Sequence, residues 1–174
     1  QLILLFTGIQ LHSAKSRLEF SDLYGDYLGQ TPPGDIPVVF APGFISRKSL
    51  EHGPAIFSAD GNEVYWCSRK SARDWLETHL WYMKRVDNRW TKPQKIAPFG
   101  IEVAWMDPFL SLDGKRLYFS ADSNTINKKG MSEVENRDIW YIEKQNNGWS
   151  KPKKLSMLIN TVHAQCQMTL TNNG

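Results

Sequence analysis

The side chains of this 174-residue chain best suited to acid–base chemistry are Glu51, Glu102 and Asp107, with His52 and His163, each ahead of or inside an apolar, aromatic-rich run. Two carboxylates facing one cleft are what glycoside hydrolysis requires, and their separation sets its stereochemistry. The sequence has no G-x-S-x-G elbow, H-E-x-x-H pair, Gly-rich phosphate loop or EF-hand loop. Cys67 and Cys166 stand outside any C-x-x-C or Cys/His cluster, so neither a metal nor a cofactor is expected. Asp60 and Asp113 are each followed by Gly. Their expected task is a turn, in which the Asp side chain accepts backbone amides and Gly supplies a positive φ. A sialidase-like Asp box would place a residue between Asp and Gly, and this chain has none.

The elements that must position these residues form a repeat. Residues 107–120 read as two short strands joined at Asp113-Gly114, because Asp-Gly between apolar runs is a strong hairpin signal. The pattern stands earlier at 55–66 and, cut short, at 168–174. Gly61 and Gly114 are 53 residues apart and Gly114 and Gly174 are 60 apart, so the unit varies in length by insertion. A second register agrees, since Trp81, Trp90 and Pro93 recur 59 positions later as Trp140, Trp149 and Pro152. Each unit is expected to hold four strands: the hairpin, a third at 79–83 or 138–142, and a fourth at 90–96 or 149–155. Four strands per repeat make a propeller blade. The expected fold is all-β, a partial β-propeller of two complete four-stranded blades plus the start of a third. It should be an open arc, because closure takes about four to eight blades.

The units Phe57-Ser-x-Asp-Gly-x-x-x-Tyr-Trp66 and Leu110-Ser-x-Asp-Gly-x-x-x-Tyr-Phe119, with Asp138-Ile-Trp-Tyr141 and Gly148-Trp-Ser-Lys-Pro152, resemble the WD40-like propeller repeat of the TolB type. The resemblance covers roughly residues 40–174. It implies an exported bacterial β-propeller, periplasmic or in the cell envelope, that acts as a binding or scaffolding platform. The first copy departs from the pattern by carrying His79-Leu-Trp where the second carries Asp138-Ile-Trp.

Residues 1–14 open with Leu-Ile-Leu-Leu-Phe and run into a cleavage-like region, too short to span a bilayer. They are expected to be a truncated signal peptide, absent from the mature protein. Residues 15–36 read as an N-terminal connector. Residues 37–50 read as an outer-strand-like segment and link, because 37–42 matches 93–98 at a constant offset of 56. Such a strand would complete a final blade. Blade 1 then spans 51–104, blade 2 spans 105–160, and 161–174 begins blade 3.

Seven Trp, six Tyr and eight Phe in a chain that is 41% hydrophobic favour strands over helices. The net charge of +3 is spread over scattered Lys and Arg, unlike the concentrated basic face of a nucleic-acid binder. Small buried thiols, not a disulfide, are expected of Cys67 and Cys166, which fall in non-adjacent blades. In a propeller, the entry to the first strand and the loop between the second and third share one face. That face is expected to gather Glu51, His52, Glu102, Trp105, Asp107, His163 and Gln165, with Arg69, Arg73, Asp122 and Asn124, as a ligand-binding rim without catalytic or metal residues. The alternative is that these polar groups merely hydrate a channel. The expected protein is a non-enzymatic, monomeric platform for protein or cell-wall glycan, with no membrane span in the mature chain. Its rival is a hydrolase, either a carbohydrate-active propeller or one gating a serine peptidase domain beyond residue 174.

Overall fold

The computed structural model describes residues 23–48, 50–69, 78–97, 104–122 and 137–171. These residues are all-β, two open antiparallel sheets with one 3-10 segment at Asp26–Gly29. The first sheet contains β1 (Ile56–Phe57), β2 (Glu63–Arg69), β3 (Thr78–Val86), β4 (Arg89–Trp90) and β5 (Gln94–Ile96). The second contains β6 (Trp105–Leu110), β7 (Arg116–Asp122), β8 (Arg137–Gln145), β9 (Gly148–Trp149) and β10 (Lys153–Lys154).

The two sheets are built alike. In each, the expected fourth strand is split. Its first part closes a tight hairpin, with Trp90 opposite Arg85 or Trp149 opposite Lys144. Its second part pairs further back, with Lys95 opposite Trp81 or Lys154 opposite Trp140. Pro93 and Pro152 lie in the gaps, where a residue without an N–H cannot extend the ladder. Trp81 and Trp140 thus hold equivalent half-buried positions on third strands, and Trp90 and Trp149 equivalent positions on fourth strands.

The Asp-Gly turns share three side-chain hydrogen bonds. Ser58 and Ser111 hydroxyls each donate to the Asp60 or Asp113 carboxylate at 2.6 Å, and that carboxylate accepts the amide of Asn62 or Lys115 at 3.0 Å. The same serine oxygen accepts the amide of Glu63 or Arg116 at 2.9 Å. Gly61 and Gly114 sit at φ 68° and 67°, the left-handed region that an L side chain strains to enter. Two residue types, Ser and Asp, therefore saturate the amides of a turn that Gly alone can close.

Packing follows the strand period. β2 is buried on both faces: Tyr65 and Cys67 point to one core, Val64 and Trp66 to another. The first core lies between the sheets, where β6 rests on β1, β2 and β3 and brings Trp105, Leu117, Phe119 and Ile142 against Tyr65 and Leu80. The second lies under the N-terminal segment, whose Leu23, Leu28, Ala41 and Ile45 cover Val64, Trp66, Met83 and Trp90. The stretch at 37–42, expected to stand as an outer strand awaiting a final blade, belongs to this segment. That stretch joins neither sheet, leaves Val38 and Val39 exposed, and is pinned where the Gln30 amide donates to the Val39 carbonyl at 2.9 Å and accepts the Ala41 N–H at 2.8 Å. Its Phe40 and Ala41 help to cover the second core as a lid. Residues 1–22, with the expected signal peptide, and the third turn at 172–174 lie outside the described residues.

Beyond β10, Asn160 holds the last described segment to the second sheet. Its buried amide accepts the Ile139 N–H at 2.7 Å and donates to the carbonyls of Ile139 and Leu155 at 2.9 and 3.0 Å.

Gly114→Ala should destabilise the chain by about 1 kcal/mol through its positive φ, read as a shift in urea midpoint with an unchanged slope. Hydrogen bonds from Ser58 and Asn62 hold the Asp60 carboxyl down from 3.8 to about 2. Its stabilising contribution is complete above 3.8 and is lost as pH falls through about 2. Asp60→Asn should therefore flatten the stability curve across that window in acid titrations.

Candidate functional site

Opposite the Asp-Gly turns, the entry to each first strand lies beside the end of the second. In the first sheet, the His52 N–H donates to the Cys67 carbonyl at 3.2 Å and the Arg69 N–H to the Leu50 carbonyl at 2.6 Å. In the second sheet, Trp105 pairs with Ala121, and Asp122 with Arg137. The two ends meet across the sheets at His52 and Asp107.

β6 carries a bulge that sets this contact. Met106 pairs with Ser120 and Phe109 with Tyr118, so Asp107 and Pro108 together oppose a single residue. Asp107 takes φ 53°, a conformation Asp tolerates better than most residues. Its buried carboxylate accepts the Ser120 hydroxyl at 2.9 Å, and its other oxygen lies 4.0 Å from His52 Nε2. The opposite ring nitrogen, Nδ1, faces the Arg69 guanidinium at 3.2 Å. Guanidinium can only donate, so Nδ1 is the acceptor and the proton is assigned to Nε2, on the Asp107 side. Burial lowers the His52 pKa below 6.5; Asp107 opposes this, while Arg69 and Arg137 reinforce it.

His, Asp and Ser in proximity invite a triad, but the bonds run the wrong way. Ser120 is fully buried and donates to Asp107. Cys67 is equally buried, its thiol donates to the His52 carbonyl, and burial pushes its pKa up to about 12. Neither is an activated nucleophile. Cys67 and Ser120 occupy equivalent positions 53 residues apart, each tying a second strand to its own entry segment.

Of the expected rim, the structure gathers His52, Arg69 and Asp107, with Glu51 alongside, its carboxylate accepting the Arg47 N–H at 3.0 Å. Gln165 reaches the same end, where its N–H donates to the Arg137 carbonyl at 2.9 Å; His163 is exposed two residues away. Trp105 is not at the rim. It is fully buried and packs edge-on to Phe119, with ring centroids 4.9 Å apart. Arg73, Glu102 and Asn124 lie outside the described residues, and Asp122 is placed only as a backbone position ending β7. Cys67 is buried as expected, whereas Cys166 is exposed; both are free.

Beside this cluster is a pocket of about 280 Å³ lined by Arg47, Ser68, Arg69, His79, Trp81 and Lys95. Only Arg69 belongs to the expected set. The larger cleft, about 780 Å³, is at the opposite end among Asp113, Lys115, Arg116, Tyr118 and Glu143. There the charged groups are already paired, Lys115 with Asp113, Arg116 with Glu143 and Lys144 with Glu63. The smaller pocket is the better candidate for recognition. Among the described residues, no group of three or more His, Cys, Asp or Glu could hold a metal, and no helix is long and apolar enough to cross a membrane.

Comparison with protein-family models, curated proteins and solved structures finds no match to this chain.

In NMR titration, His52 should lose its proton below pH 6.5, because the fold favours the neutral ring. Arg69→Gln should raise that pKa and Asp107→Asn should lower it. The unfolded chain takes up the proton first, so the His52 contribution to stability is present above 6.5 and fades as pH falls below it.

Proposed function

We propose that this chain is part of an exported β-propeller of the TolB-like type that acts without catalysis, as a binding platform for protein or cell-envelope glycan. Its two sheets stand as consecutive blades. The repeat supports the propeller reading: strand order, split fourth strand and turn bonding agree between two sheets packed face to face.

The observation that carries the binding reading is the end where His52, Arg69 and Asp107 meet. Two blades contribute to it, it is polar and partly open, and its Ser and Cys are buried in structural bonds. Such a surface can orient a ligand, and none of its described residues is the activated nucleophile that acyl transfer needs. Ligand sites are concave and formed where elements meet, and this end joins residues of both sheets.

The full chain should be retained on isolated envelope material without releasing product from chromogenic glycosides or peptide amides. Turnover that disappears in Asp107→Asn would replace the platform with the hydrolase. A full chain found in the cytosolic fraction would remove the exported assignment.

A further inference from the structure

The two sheets are internal controls for each other, and at the ligand-facing end they differ in charge. Lys95 and Lys154 occupy the same register, each opposite the recurring Trp of its third strand, Trp81 or Trp140. In the second sheet, the Lys154 ammonium pairs with the Asp138 carboxylate at 2.7 Å. In the first, the residue 59 positions earlier is His79, and the Lys95 ammonium stands 3.3 Å from its Nε2. Likewise, Asp122 at the end of β7 corresponds to Arg69 at the end of β2, 53 positions earlier. Two acidic positions of one unit are thus basic or protonatable in the other.

These exchanges converge on the pocket of about 280 Å³, where Arg47 from the N-terminal segment joins Arg69, His79 and Lys95. Its described lining contains no Asp or Glu. Arg47 donates to the Ser68 hydroxyl at 3.0 Å, which fixes the guanidinium at the pocket wall. The Nε–H of Arg47 and the indole N–H of Trp81 are out of reach of solvent and have no acceptor among the described residues. Guanidinium, ammonium and imidazole groups beside an aromatic wall make a site for an oxyanion.

We propose that this pocket binds the carboxylate or phosphate group of a small anionic ligand, or of an anionic unit in a larger one. The inference rests on the platform reading and gives its ligand a chemical class. The volume suits one ring with its anionic substituent, at the lower end of small-molecule sites.

The test follows the Trp81 indole N–H resonance of the full chain while inorganic phosphate, glucuronate or glucose is added. Phosphate and glucuronate should each shift it saturably and glucose should not; tighter binding of one anion identifies the source. His79→Asp rebuilds the ion pair that the second sheet already accommodates, so it should fold and weaken both anions by about tenfold or more. Arg47→Gln should do the same. Anion binding undiminished in both variants would overturn the proposal, as would a Trp81 response to anions no larger than to glucose. Retention on envelope material by a chain that takes up neither anion would overturn this inference and leave the platform standing. Anion uptake without retention would do the reverse.

Discussion

β2 has no solvent face, and the rest of the structure depends on that. A strand with apolar side chains on both sides must be covered twice. The second sheet supplies one cover, through Trp105 and Phe119; the segment carrying Leu23, Leu28 and Ile45 supplies the other. The order of layers, N-terminal segment, first sheet, second sheet, follows from the alternation of Val64 and Trp66 with Tyr65 and Cys67. Because the same strand ends at Ser68 and Arg69, its double burial also fixes one wall of the pocket.

Local features were the legible part of the sequence. A turn closed by Ser, Asp and Gly is decided within six residues, so its bonds recur with the motif. The Trp and Pro spacing likewise placed the third and fourth strands, because both are set by short-range pairing. The contacts of 37–42 were not legible for the opposite reason. They come from Phe40 and Ala41 meeting side chains that lie beyond position 60 in the chain. Apolar residues in a lid and in an edge strand are the same residues.

The site was legible by face more than by residue. Strand direction was enough to send His52, Arg69 and Asp107 to one end. It could not show that Trp105 turns inward, because burial depends on the sheet opposite. It also gave no weight to Arg47 or Lys95, which reach the pocket from a lid and an edge strand. One signal was available: His79 in place of the Asp found at 138 marks where the two units differ in chemistry.

The split fourth strand has a consequence for how the chain meets its own copies. β5 and β10 are the outer edges of their sheets, three and two residues long, and they carry Lys95, Lys153 and Lys154 next to Pro93 and Pro152. A sheet edge of normal length offers a row of free amides and carbonyls on which another molecule can add a strand. Here the row is too short to set a register, a proline stands at its start, and an added strand would have to bring its backbone past ammonium groups. The interruption that looks like an imperfection in the repeat is what keeps these edges from templating one another.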